Sequence, residues 1–254
     1  MKKSWIIGLN TFKESLRKKT LYILLVVALI VIGASKAFSF LTAEEELKMI
    51  KDVSFSSIEF FGALIAIFMS LTAISGEIEK RTIYTLFSKP ITRQNFFMGK
   101  FIGIVLILLL NFFLMSLFFI GLLIFKKSPP DIQVAKTLLL IFIELILIGA
   151  ITLTVATFAS DAFNIIFSFF LYIVGHLISY GNQLVDRTEN FVLKGLGKIL
   201  FTIIPNYENF NIRDKVVVGI EVSRNYIFKT SVYWFLYLVV ILLIGSYFIQ
   251  KREV

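Results

Sequence analysis

The chain has 254 residues, of which 57% are hydrophobic and 28 are phenylalanine, against about 45–50% apolar residues in an ordinary soluble domain. The formal net charge of +9 could be a nucleic-acid footprint. However, Lys and Arg gather at the ends of apolar stretches and in short loops, where anionic lipid and the positive-inside rule account for them, so nucleic acid is set aside as a partner. Cysteine is absent, which excludes disulfide and thiol chemistry.

Residues 1–20 (MKKSWIIGLNTFKESLRKKT) predict an amphipathic helix, with Trp5, Leu9, Phe12 and Leu16 recurring at four- and three-residue steps among Lys2, Lys3, Lys13, Arg17 and Lys18. Such a helix lies in a membrane interface, its apolar face in lipid and its cations near phosphate. A cleaved signal peptide is the rival reading, and the long, regular basic stretch weighs against it. A bilayer crossing needs about 20 apolar residues, and six stretches approach or exceed that length: 21–40, 58–75, 101–125, 137–157, 164–183 and 230–249. An even number places both termini on one side. The six basic residues among the first 20 place that side inside, N-in and C-in.

Residues 76–100 form a charged island between the second and third stretches. Up to Phe87 the island predicts a short amphipathic helix, with Ile83, Leu86 and Phe87 at i, i+3 and i+4. Pro90 ends it, and Thr92 is the expected N-cap of the helix that enters the membrane. In the long connection 184–229, the apolar run from Phe191 to Ile204 is too short to span and predicts a cap that lies in the interface or dips into it. The Val216–Val218 run predicts a short strand or a segment packed on that cap.

Glu-x-Glu-x-x-Thr (Glu77, Glu79, Thr82), then Leu-Phe-Ser-Lys-Pro-Ile-Thr-Arg over 86–93 and Gly-Lys-Phe-Ile-Gly over 99–103, resembles the signature loop of ABC-2-type permeases. These are the membrane subunits of ABC exporters, and the nearest branch is named for multicopper-enzyme (nitrous oxide reductase) maturation. The resemblance is specific over 77–103, looser over 204–210 (IPNYENF) and the basic tail, and generic elsewhere. It implies an all-α membrane fold of the type V exporter kind. In that fold an interfacial N-terminal helix, a cytoplasmic coupling helix and an outer cap join six spans. It also implies a prokaryotic cytoplasmic membrane, a second permease copy, itself or a related chain, and a separate ABC ATPase subunit. ATP and Mg would bind that partner, and no cofactor would bind this chain. The ATPase-coupling residues it implies are Glu77, Glu79, Lys80, Arg81, Thr82, Ile83, Leu86, Phe87, Lys89, Pro90 and Arg93.

No Gly-x-x-x-x-Gly-Lys-Ser/Thr loop is present, so ATP hydrolysis is not expected of this chain. His176 is the sole histidine and there is no His-Glu-x-x-His, so neither a metal site nor a nucleophile triad is expected. His176 reads as a packed core residue. Glu144 stands alone in the middle of the fourth stretch, where an ionised carboxylate costs about 2.5–3.5 kcal/mol. It is expected either to line a translocation path or a dimer seam, or to be a neutral carboxyl bonded to Asn111, His176 or a neighbouring hydroxyl. Glu59 is expected at the water-accessible outer end of the second stretch. Gly99 and Gly103 offer close helix approach, and Lys100 is expected to snorkel to headgroups. The function expected is the permease subunit of an ATP-driven exporter. The alternatives are a membrane scaffold without transport and a gradient-driven transporter using Glu144.

Overall fold

The structure is a computed structural model and describes residues 2–38, 46–79, 92–187 and 190–251. Among these it contains helices and no strand. In chain order they are α1 (Lys2–Ser15), α2 (Lys19–Phe38), α3 (Glu46–Glu79), α4 (Arg93–Phe125), α5 (Ile132–Val155), α6 (Asp161–Arg187), α7 (Phe191–Ile203), a 3-10 turn (Tyr207–Asn209), α8 (Arg213–Val217) and α9 (Arg224–Lys251). Helices α3, α4, α5, α6 and α9 are long and apolar enough to cross a bilayer, and α1 with α2 forms a pair bent by 68° that passes as a further span.

Sequence chemistry sets where these helices begin. The Thr92 hydroxyl accepts from the Asn95 amide at 3.2 Å, as its N-cap position predicts, and the Asp131 carboxylate accepts from Val134 N at 2.8 Å. Each satisfies an amide that the first turn leaves without an intrahelical partner. Helix α3 starts well before residue 58, because Lys48, Lys51 and Asp52 occupy helical turns rather than a loop. Val216 and Val217 belong to the short helix α8, with Val218 as its C-cap, so of the two arrangements expected there the strand is not formed.

Helix α5 is apolar around most of its circumference and is buried along nearly all of its length from Leu140 to Val155. A helix of that composition belongs at the centre of a bundle, and α3, α4, α6 and α9 surround it. Helices α6 and α9 instead expose Ile166, Phe170, Leu236 and Leu243 on their outward faces. Lipid is as apolar as leucine, so packing and interhelical hydrogen bonds must join the helices. Between α5 and α6, Thr152 Oγ1 donates to Ser168 Oγ at 3.0 Å and Ser168 donates to Asn164 Oδ1 at 3.1 Å. Asn164 Nδ2 closes the ring by donating to Thr152 O at 3.0 Å.

Helix α1 packs on α4 through a stripe of small residues, burying Ser4, Gly8, Thr11 and Ser15 with Ile7, while Trp5 is half exposed. A Cβ at Gly99 would lie 2.6 Å from Ile7 Cβ and 2.9 Å from Ser4 O, and one at Gly103 would lie 2.6 Å from Thr11 Cβ and 2.8 Å from Gly8 O. Glycine at both positions is what permits this approach.

The bundle has two distinct ends. At the α1 end, Lys18 Nζ donates to Thr72 Oγ1 at 2.5 Å, Lys100 pairs with Glu77, and Arg93 donates to Gln250 O at 2.9 Å. At the cap end, Lys126 pairs with Glu46, while Lys136 Nζ donates to Val222 O at 2.6 Å. Helix α7 lies at this second end. Tyr237 Oη on α9 donates to Thr202 O at 2.9 Å, and Tyr233 Oη accepts from Asn206 N at 2.9 Å.

Candidate functional site

Three charged or titratable side chains that look isolated in the sequence meet inside the bundle. Glu59 on α3, Glu144 on α5 and His176 on α6 bring their ligating atoms within 4.8 Å of one another. Glu59 is only 7% exposed and Glu144 1%. The expectation that Glu59 sits in water therefore fails, because the early start of α3 carries it more than three turns into the helix. His176 Nε2 lies 2.7 Å from Glu59 Oε1 and 3.4 Å from Glu144 Oε1. Its other ring nitrogen, Nδ1, sits 2.9 Å from Tyr172 O. A carbonyl only accepts, so Nδ1 carries a hydrogen and Nε2 faces the two carboxylates.

Arg213 of α8 holds the far side of Glu59. Its Nη1 is 3.8 Å from Glu59 Oε2 and donates to Ser56 Oγ at 2.7 Å, while its Nε is 3.1 Å from Asp52 Oδ1. Aromatic rings wall the cluster. Tyr172 and His176 have centroids 4.7 Å apart, and Tyr207 lies 5.5 Å from His176. Tyr207 is fully buried, and burial pushes its phenol well above the ordinary value of 10.0, with Glu144 adding to the effect. It is therefore a neutral wall. Gly175 makes room for it, because a Cβ there would lie 2.3 Å from the Tyr207 ring and 2.9 Å from Pro205 O. Asn111, by contrast, donates to Ile107 O of its own helix at 2.8 Å, with no bond to Glu144.

A second constellation lies at the α1 end. Lys100 does not snorkel. It is 1% exposed, donates to Glu77 and lies 5.5 Å above the Phe96 ring. Glu77 thus reaches α4. Arg93 reaches α9 through Gln250 O. Lys80, Arg81, Thr82, Ile83, Leu86, Phe87, Lys89 and Pro90, and the Glu79 side chain, lie outside the described residues.

Neither Glu59 nor Arg213 stands out in the sequence as a partner of Glu144. Their only local signal is a carboxylate and a guanidinium within or beside apolar helices, and the pairing depends on contacts between distant segments.

Among the described residues, an all-helical bundle of this length and apolarity, with charge gathered in one buried cluster and at the two ends, defines a polytopic membrane protein. A family model described as ABC-2 family transporter protein matches residues 5–254. The chain belongs to that family and is an integral, multi-pass membrane protein, the permease subunit of an ABC transporter. Membership implies an ABC ATPase as partner. No curated protein matches the chain.

Proposed function

We propose that this permease exports its substrate, and that residues 76–100 receive the motion of a separate ATPase subunit on the cytoplasmic side. Two permease copies and two ATPase subunits make up the working assembly, N-terminus and C-terminus inside. The observation that supports this reading best is the buried Glu77–Lys100 pair. It ties the end of α3 to the start of α4, the two helices that flank residues 80–91 in the sequence. A push on that segment would therefore reach two long helices together. Conformational work of this kind requires the ATPase to bind the two permease states with different affinity. The chain itself contributes no ATP chemistry in this scheme.

The test is a mild-detergent purification of the tagged chain from its own host, with ATPase activity measured on the material recovered. The expected result is a co-purifying P-loop ATPase whose recovery falls at least tenfold when Arg81 and Lys89 are both changed to Glu. Purification of the chain alone and inactive in several mild detergents would overturn the reading in favour of a scaffold.

A further inference from the structure

The Glu59–Glu144–His176 cluster has a bonding deficit. His176 Nε2 lies 2.7 Å from Glu59 Oε1 and 3.4 Å from Glu144 Oε1. Neither that nitrogen nor Glu144 Oε1, in a side chain 1% exposed, has a hydrogen-bond partner. A buried carboxylate oxygen without a partner costs several kcal/mol. A metal cation between the three groups would satisfy all of them. We propose that Glu59, Glu144 and His176 bind one divalent transition-metal ion of the zinc class, held among α3, α5 and α6.

Four features of the geometry support this assignment. First, the imidazole presents Nε2 because Nδ1–H is engaged by Tyr172 O at 2.9 Å, the outer-shell bond that orients metal-bound histidines. Second, ligands held at about 2.0–2.1 Å around a tetrahedral ion sit roughly 3.3 Å apart. The separations of 2.7 and 3.4 Å from His176 Nε2 lie on either side of that distance, and all three donor atoms lie within 4.8 Å of one another. Third, Arg213 contacts Glu59 through Oε2 while Oε1 faces His176, so the guanidinium orients this ligand without occupying the ion's place. Fourth, Glu59 and Glu144 present two carboxylates to the ion's place, whose formal charge a dication matches.

One nitrogen and two oxygen donors suit zinc-class ions better than calcium or magnesium, which prefer all-oxygen shells. Three protein ligands also leave a fourth position for water or a further group. The ion acts as a resident brace that joins the three helices α3, α5 and α6. The inference does not depend on the exporter reading, because it is read on the permease alone.

The full chain, purified through a tag without histidine and stripped with a chelator, is titrated with Co2+ while visible absorption is followed. The expected result is saturation at one Co2+ per chain, with d–d bands that Zn2+ abolishes by displacement. Glu144→Gln and His176→Gln should each weaken Co2+ binding at least tenfold, and Asp214→Asn, an exposed carboxylate beside Arg213, should leave it unchanged. Absence of saturable Co2+ uptake by the wild-type chain would overturn the proposal, and so would equal affinity in both ligand variants. The wild-type titration decides the matter even where a variant fails to fold.

Discussion

At the residue scale, the buried polar groups divide into those that hold the bundle and those that load it with charge. Lys100 belongs to the first kind. Its ammonium is withdrawn from water and, among the described carboxylates, pairs with Glu77, with the Phe96 ring beneath it. Removing one partner from a buried pair leaves the other uncompensated, at about 3–5 kcal/mol. Lys100→Met removes this ion pair from the contact between α3 and α4, and because Glu77 retains partial exposure the expected loss is about 3 kcal/mol, near the lower end of that range. Thermal unfolding in detergent should show a clearly lower midpoint for Lys100→Met, whereas Lys19→Met, at an exposed position, should match wild type. Equal midpoints for the two variants would remove Lys100 from the stabilising set. Glu144 belongs to the second kind. Its isolation is legible in the sequence because no charge lies within several residues of it in the fourth apolar stretch. Its partners are not legible, since Glu59 and His176 come from other helices and local spacing carries no trace of them.

At the scale of elements, the approach of α1 to α4 rests on two glycines rather than on hydrophobic area. A side chain at Gly99 or Gly103 meets backbone oxygens of α1 within 3.0 Å, and backbone cannot rotate away as a flexible side chain can. Gly99→Val with Gly103→Val is therefore expected to lift α1 off the bundle. The chain has no cysteine, so Ser4→Cys with Asn95→Cys, whose native side chains lie 3.3 Å apart, reports that contact through a short thiol crosslinker. Crosslinking should be near complete in the parent and fall severalfold in the double valine variant. An unchanged yield would show that α1 is held by something other than close packing. The amphipathic pattern of residues 1–20 made this helix readable, but the pattern draws the eye to Trp5 and Phe12. The seam is made instead by Ser4, Gly8, Thr11 and Ser15, which carry almost no hydropathy signal. Helix α3 shows less of its length in the sequence, for the opposite reason. Lys48, Lys51 and Asp52 masked three helical turns, and with them the depth of Glu59.

At the scale of the whole molecule, apolar length alone specified most of the architecture, since hydrocarbon forces the backbone of any crossing segment into helix. The ends of the bundle then sort by their polar ties. Residues 18, 72, 77, 93, 100 and 250 gather at one end, and 46, 126, 136 and 222 at the other. Single cysteines at Lys13 and Gln250, both exposed, should accept a membrane-impermeant thiol reagent from the same side of sealed vesicles. A cysteine at Glu221, also exposed, should be labelled only from the opposite side. Labelling of Lys13→Cys and Gln250→Cys from different faces would break the even-span topology.

Helix α3 runs unbroken for 34 residues, a rod of about 50 Å at 1.5 Å per residue. Near one end Glu77 is fastened to α4, beside the segment 80–91, and near the other Asp52 and Ser56 are gripped by Arg213 of the cap. Such a rod has no slack to take up. A displacement applied near Glu77 would arrive at the cap with its sense and size largely kept, so the two faces of the membrane are linked as the ends of a pushrod are, by stiffness rather than by any chain of small rearrangements.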